Sequence, residues 1–542
     1  MMNTNSPQTG VNDGSNLKRL IDVGIALSAE KDHDALMEII LVEAKAIYNA
    51  DGGTLYLRRD DNLAFAIMQN DSMNIAMGGT TGDEIPFPPL LMYDPDTGKP
   101  NHNSVATHVA LTGKLVNTED AYETDDFDFS GARAFDERAG YRSTSFLTIP
   151  LKNYEKDVVG VLQLINARTP DSSEVTPFSP AAQPLVEALA SQAAIALDNQ
   201  LLLEAQKNLL ESFIRLIATA IDRKSPYTGG HCQRVPAITE MMADAACFAK
   251  DGPFKDFDLD EEERYELMTA AWLHDCGKVT TPEYVMDKAT KLETVVDRIE
   301  IVRARITLMK REAELEHTKG AGHPGADMAT LDQTLKDTHA QLDDNFEFLE
   351  GANIGGEFMD PAKIERVKQI AKLQWRDVDG SSKDLLNENE IHNLSITRGT
   401  LTAEDRTIIN DHIVVTIDML EQLPFPKNLK RVPEYAGGHH EKMDGTGYPR
   451  GLKRDEMSIP ARMMAIADIY EALTAADRPY KKAKTISESL EIMKKMNETD
   501  HIDPDLFELF IESGVYRKYA EEFLDPDQID EVDEAQILGR AA

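Results

Sequence analysis

Two carboxylates stand where helices should bury apolar side chains, and they constrain this chain more than any other feature. In "AAWLHDCGK" (270–278), Asp275 follows His274 at the end of a run of alanine, tryptophan and leucine. In "MMAIADIY" (463–470), Asp468 is enclosed by methionine, alanine and isoleucine. A carboxylate taken out of water without a partner is costly, so buried charges are paired or bound to metal. A residue in the middle of an apolar helix is a poor cap, which leaves metal ligation as the better account of Asp468. Lys278 lies four residues beyond His274 and three beyond Asp275, a spacing that lets all three project toward one pocket.

Four further histidines have suggestive settings. His231 in "SPYTGGHCQRVP" follows a glycine turn at the start of a helix, and His412 lies in the helical run "EDRTIINDHIVVTIDML". His439 and His440 open "HHEKMDGTGYPRGL", where a glycine-rich loop with one proline follows at once. Taken singly, each has a plain alternative, because a histidine on an apolar helix is more often a satisfied core residue and paired histidines also occur in surface turns.

The rest of the chain narrows the class. At 542 residues it is too long for one core and should hold two or three domains. No run of 18 apolar residues occurs, and the N-terminus "MMNTNSPQTGVNDGSN" has neither a basic region nor an apolar one, so neither a membrane span nor export is expected. The three cysteines, Cys232, Cys247 and Cys276, form no CxxC pair, which fits a reducing cytoplasm. A net charge of −38 repels polyanions and excludes a general nucleic-acid binder. Local cation clusters in "YPRGLKR" and "DRPYKKAK" still suit a small anionic ligand.

Residues 1–16 are polar and are expected to be a disordered tail. Helical spacing runs from 17 to 48. Two alternating stretches, "DGGTLYLRRDDNLAFAIMQN" and "STSFLTIPLKNYEKDVVGVLQLINAR", each predict a hairpin of half-buried strands. This order of helix, antiparallel strands and helix, together with "GYRSTSFLTIPL", "VVGVLQLINAR" and "FSPAAQPLVEALASQAAIALDNQLL", resembles a GAF domain, a small-ligand sensor module of α+β fold, over 17–183. Cyclic-nucleotide-binding members often carry an Asn-Lys…Phe…Asp-Glu signature. Here Asn166 and Phe178 match, but Ala167 and Ala182-Gln183 replace the lysine and the acidic pair, so the ligand of this domain stays open.

The helix that follows, 184–222, repeats apolar or small residues at four and three spacing: Leu185, Leu189, Gln192, Ala196, Asn199, Leu203, Gln206, Leu210, Phe213, Ile217 and Ala220. That spacing predicts a coiled-coil seam and a parallel homodimer, the alternative being a domain-capping helix with one buried stripe. After Ser225 the pattern is almost wholly helical. Residues 294–394 predict an antiparallel helical hairpin projecting from the domain, a possible gate or protein-partner site, and 521–542 an acidic, loosely ordered tail.

The ordered set His231, His274-Asp275, His412, His439-His440 and Asp468, carried by "YTGGHCQRV", "LHDCGKVTTPEYV", "GTLTAEDRTIINDH", "HHEKMDGTGYPRGL" and "IPARMMAIADIYEALTAADRPYKKA", resembles the HD-GYP phosphodiesterases. These form a subfamily of the HD-domain metal-dependent phosphohydrolases. The resemblance implies an all-α domain in two parts, 223–293 and 395–520, in which Asp275 bridges two metal ions. One ion takes His231, His274 and Asp468; the other takes His412, His439 and His440. Five imidazoles with two carboxylates suit iron or manganese, admit zinc, and exclude calcium or magnesium as natural occupants. By the same resemblance Asp275 and Lys278 serve catalysis, while Lys278, Gly447, Tyr448, Pro449, Arg478 and Lys481 meet the substrate, and Asp444 orients the loop. Tyr227 stands where relatives with a third metal have glutamate, so two ions are expected. The implied reaction is hydrolysis of cyclic di-GMP to the linear dinucleotide or GMP. A phosphohydrolase for another cyclic dinucleotide such as cyclic GMP-AMP, or a non-hydrolysing receptor, are the alternatives.

Overall fold

The computed structural model describes residues 12–30, 32–169, 174–224, 230–356, 358–476 and 483–540. The chain divides into two compact units, Met1–Leu210 and Glu211–Ala542.

The first unit opens with helices α1 (Asn12–Ala29) and α2 (His33–Tyr48). The sequence predicts one helical run over 17–48, but Asp32 breaks it by accepting from the Ala35 amide at 2.8 Å and capping a second helix. Helix α1 already begins at Asn12, so residues 12–16 are helical rather than a disordered tail, and 1–11 lie outside the described residues. Strands β1 (Ala50–Arg59) and β2 (Asn62–Asn70) form the first expected hairpin. Then come β3 (Ile75–Gly78), β4 (Leu90–Leu91), α3 (Val105–Thr112), β5 (Val116–Thr118) and α4 (Ser130–Ala139). The second expected hairpin is β6 (Phe146–Lys152) with β7 (Val158–Arg168), followed by β8 (Val175–Thr176). The sheet order is β3-β2-β1-β7-β6-β5, with β4 against β2 and β8 against β7. One core layer joins α2 to the sheet through Ile40, Leu41, Leu55 and Leu162, and another packs Val105, Val109 and Phe129 on the strands through Phe146 and Val161. Asn166 and Phe178, matching GAF signature positions, hold the fold. Asn166 donates to the Tyr141 hydroxyl and the Arg142 carbonyl and accepts from the Thr144 amide, while Phe178 packs edge-on to Tyr48.

Helix α5 (Gln183–Lys224) runs 42 residues. Its first turns bury Val186, Leu189, Ala193 and Leu197 in the core of the first unit. Residues 201–209 are all exposed, and further on Ile214, Ala218 and Ile221 are buried. Of the expected seam, Leu189 belongs to the core, while Leu203, Phe213 and Ile217 are exposed, as is an adjoining row, Ile195, Leu202, Leu209 and Leu216, seven residues apart.

Among its described residues the second unit is helical apart from one small hairpin. Its helices are α6 (His231–Cys247), α7 (Glu261–Leu273), α8 (Glu283–Met286), α9 (Ile299–Ala321), α10 (Met328–Ile354), α11 (Pro361–Ala371), α12 (Glu388–Leu394), α13 (Ala403–Asn410) and α14 (His412–Glu421). After these come α15 (Val432–Gly437), α16 (Ile459–Thr474), α17 (Ile486–Asn497), α18 (Pro504–Glu512), α19 (Val515–Phe523) and α20 (Glu534–Ile537).

Within the expected insertion, α9 and α10 form the predicted antiparallel pair. The segment also holds α11, α12 and a hairpin of β9 (Gln374–Arg376) and β10 (Ser382–Asp384). It therefore has its own core, including Val302, Ile306, Leu349, Val367, Ile370 and Leu385, and is more than a bare helical hairpin. The expected loose tail is also ordered over 521–540: Gln528 donates to the Thr474 and Lys484 carbonyls, and Ile537 is buried.

Candidate metal centre

Helix α7 starts with a reciprocal cap between Asp260 and Glu263 and stops at Leu273, where the apolar run ends. The chain then tightens into a 3-10 turn, Cys276–Thr280, that follows His274 and Asp275. Gly277 allows that turn to touch α14. A Cβ there would stand 2.0 Å from the His412 carbonyl oxygen and 2.6 Å from the Thr416 nitrogen. The Gly277 amide donates to Thr416 Oγ1 at 2.9 Å. Asp411 separates α13 from α14, so His412 opens a new helix rather than lying inside one. His231 likewise opens α6, after Gly230 with a φ of 83°.

Ring orientation follows one rule at three of these positions. Nδ1 of His274, His412 and His439 lies 2.7, 2.5 and 2.6 Å from the carbonyl oxygens of Ala271, Ile409 and Ala436, each three residues earlier. A carbonyl only accepts, so Nδ1 carries the proton and Nε2 turns a lone pair into the centre. His231 Nδ1 meets Glu471 Oε2 at 2.5 Å, and Arg234 Nε donates to the other Glu471 oxygen at 2.7 Å.

The Nε2 atoms converge on two clusters that share Asp275. His231, His274, Asp275 and Asp468 form one; Asp275, His412, His439 and His440 form the other; within each, the ligand atoms lie within 4.8 Å of one another. Asp275 Oδ2 is 3.0 Å from His231 Nε2 and 3.2 Å from His274 Nε2, while Oδ1 is 3.2 Å from His412 Nε2. Asp468 Oδ1 is 3.4 Å from His231 Nε2. The Nε2 atoms of His231 and His274 face each other at 3.2 Å, as do those of His412 and His440. His439 Nε2 and Asp275 Oδ1 are buried with no hydrogen-bond partner. Converging lone pairs with so few protons between them are the electrostatic signature of a cation site, and the mixed nitrogen–oxygen donor set fits a first-row divalent metal.

Protonation agrees with this fit. Burial, with the neighbouring His440 and His274 rings, holds His439 well below the usual histidine range, and burial pushes His440 down to about 4, so both are neutral near pH 7. His231 goes the other way: burial opposes its charge, but Glu471, Asp275 and Asp468 outweigh burial and hold it protonated. Metal at Nε2 would displace that proton. Burial also opposes charge on Asp275, yet Lys278 and His274 hold the carboxyl well below its usual range. The Lys278 ammonium rests on Asp275 Oδ2; burial disfavours its charge, but Asp275 and Asp468 raise it above the ordinary lysine value.

The Tyr448 ring stacks on His440, centroids 4.9 Å apart, and forms a wall of the centre. Gly447 is required by the loop itself, since a Cβ there would lie 2.3 Å from the Lys442 nitrogen. Pro449 follows Tyr448 in the same loop. The Asp444 side chain braces its turn, accepting from the Thr446 amide and hydroxyl at 2.8 and 2.7 Å, and its amide donates to the Asp500 carbonyl at 3.2 Å. The loop is also tied down by the buried Glu441, whose two oxygens accept from the Arg450 and Leu452 amides at 2.7 and 2.9 Å. Sequence reading passed over Glu441 and Glu471. The available signals were the glutamate directly after His439-His440, and the i, i+3 spacing of Glu471 from Asp468 and of Arg234 from His231. Arg478, Lys481 and Tyr227 lie outside the described residues.

Comparison with known proteins places both halves. Residues 32–197 match the GAF domain family and 389–506 the HD domain family; the second match takes in His412, His439, His440 and Asp468. A Vibrio cholerae protein named 3'3'-cGAMP-specific phosphodiesterase 3 is 26% identical over 308 residues, 56% of this chain and 40% of its own. A Thermotoga maritima cyclic di-GMP phosphodiesterase is 26% identical over 242 residues, 41% of this chain and 63% of its own. A Pseudomonas aeruginosa cyclic di-GMP phosphodiesterase is 46% identical over 79 residues, 14% of this chain and 18% of its own. The chain thus spans less than two thirds of the length of each of these relatives. It carries a GAF domain followed by a helical HD region, with a long helix linking them. Among the described residues no helix is long and apolar enough to cross a membrane.

Proposed function

We propose that the chain is a metal-dependent phosphodiesterase that hydrolyses cyclic di-GMP to the linear dinucleotide or GMP, under control of its GAF domain. The observation that carries this reading is Asp275, which offers one carboxylate oxygen to each of two histidine clusters. Two bound ions, iron or manganese by donor set, would supply a water of lowered pKa and neutralise charge on the phosphoryl oxygens. His231, His274 and Asp468 would hold one ion, and His412, His439 and His440 the other. Lys278 keeps its proton and is placed to meet a phosphate oxygen. Tyr448 presents an aromatic face beside His440 for a flat purine, with Gly447 and Pro449 shaping that wall.

The exposed stripe Ile195, Leu202, Leu209 and Leu216 on α5 supports a parallel homodimer, since a heptad row of aliphatic residues pairs with its own copy. On α9 of the insertion, Ile301, Leu308 and Leu315 repeat the same spacing on an exposed face and suit a protein partner, while the GAF domain takes a small ligand. A second substrate reading, 3'3'-cyclic GMP-AMP, is supported by the likeness to the Vibrio cholerae cGAMP phosphodiesterase.

The test is anaerobic purification, metal analysis, and incubation with cyclic di-GMP, 3'3'-cyclic GMP-AMP and a generic phosphodiester. Turnover of a cyclic dinucleotide with two metals per chain is expected, and their relative rates settle the base. Two bound metals without turnover of either dinucleotide would overturn the enzyme reading.

A further inference from the structure

Helix α5 ends on Lys224, and that residue grips the turn beside the metal centre. Lys224 Nζ donates to the carbonyl oxygens of Lys278 at 3.1 Å, of Thr281 at 2.7 Å, and of Val279. All three ammonium protons thus go to carbonyls at the end of the turn Cys276–Thr280, that of Lys278 also accepting from the Thr281 amide at 3.1 Å, and a compact cation there complements the dipole of a helical end. The opposite side of this turn is fixed by the Gly277 amide on Thr416 Oγ1 and by backbone contact with His412. Asp275 and Lys278 are therefore held between α14 and the last residue of α5. Two residues before Lys224, Asp222 Oδ1 accepts from the Cys232 amide at 3.2 Å, the residue next to His231. One helical turn of α5 thus touches two of the three segments that supply ligands to the cluster of His231, His274, Asp275 and Asp468, the third being α16 with Asp468.

We propose that Lys224 is a positioning residue for Asp275 and Lys278, through which the placement of the α5 terminus sets the geometry of the bridging carboxylate. The three carbonyls point at one ammonium, so a shift or rotation of the last α5 turn breaks bonds to the turn Cys276–Thr280 while Thr416 still holds its other side. The inference rests on the phosphodiesterase reading for its effect on turnover, but not for its effect on the turn itself.

The test uses the full chain with Lys224→Met, which keeps the aliphatic stem and removes the donors, and Lys224→Arg, which restores a cation. In Lys224→Met, amide exchange over 276–281 is expected to speed up at least about tenfold with other segments unchanged. Manganese affinity by chelator competition should fall about tenfold, in the range typical of groups that orient metal ligands. With cyclic di-GMP at saturating metal, kcat should fall about tenfold with KM within about twofold, and Lys224→Arg should recover most of each loss. Unchanged exchange over 276–281 with unchanged manganese affinity would overturn the proposal, as would an exchange increase spread evenly over the whole helical unit. If the unaltered chain hydrolyses no cyclic dinucleotide, the enzyme reading falls, and exchange and manganese affinity still decide the role of Lys224.

Discussion

Replacing Gly277 by alanine tests whether the two clusters form one centre. The residue does not have a positive φ, so alanine costs nothing in backbone conformation, and the whole effect is steric. The new Cβ would meet the His412 carbonyl oxygen at 2.0 Å, where ordinary contact begins near 3.4 Å, so the turn Cys276–Thr280 and α14 must separate by about 1.4 Å. Taken up along the line between Asp275 Oδ1 and His412 Nε2, now 3.2 Å, that opens the pair to about 4.6 Å. Two donors each about 2.1 Å from one ion lie at most about 4.2 Å apart, so His412 and Asp275 no longer share an ion. Metal analysis should show about one ion lost per chain, and kcat/KM for cyclic di-GMP should fall about 100-fold, the usual consequence of a misplacement near 1 Å. Circular dichroism should show the helices intact. Two metals and activity within threefold of the unaltered chain would refute the argument.

Glu471→Gln keeps the shape but removes the carboxylate beside His231 Nδ1, and metal affinity by chelator competition should fall about 10–100-fold; unchanged affinity would show that Glu471 does not orient the ring. Glu441→Gln turns an amide NH2 toward the Arg450 or Leu452 amide, so KM should rise about tenfold at constant metal content, the buried mismatch being worth about 1–3 kcal/mol; an unmoved KM would place the loop outside the binding site. Burial lowers Lys291, whose ammonium donates to the Leu394 and Ile396 carbonyls, to about 8. Its folded pKa lies below the ordinary 10.5, so the unfolded chain holds the extra proton between those values and stability of the insertion core rises with pH across that window. Urea titrations followed by Trp375 in a Trp272→Phe background should show that rise, and Lys291→Met should flatten it.

Residues with unusual surroundings were the legible ones. Asp275 and Asp468 stood out because apolar neighbours make an acid improbable, and the histidines became a set once read in order. Glu471 and Glu441 were hidden because a glutamate on a helix or loop has the same local text whether it faces water or a histidine; only the fold brings Glu471 to His231, 240 positions away. Strands β1, β2, β6 and β7 were clear from alternation in 51–70 and 143–168, whereas β3, β4, β5, β8, β9 and β10, none longer than four residues, are too short to show a period. The inner end of the α5 seam was hidden for a related reason: Leu189 and Leu203 look alike in sequence, and burial against the sheet, a long-range property, separates them. The order of 521–540 comes from long-range bonds such as Gln528 to Thr474 that acidic composition does not disclose.

The insertion leaves and rejoins the helical unit through a single doorway. Lys291, just before it, bonds to the carbonyl of its last residue, Leu394, and to that of Ile396 just after it, and the Lys291 and Leu292 amides both fasten to Asn353 on α10. Because the two stems already touch, a hundred residues hang from the connection to α13 without altering the distance that connection must cover. Loop closure scales only slowly with length, and an arm with its own core meets most of its own ordering cost. The arm is therefore a graftable module: a short turn joining Lys291 to Ile396 should leave the helices around His412 in place.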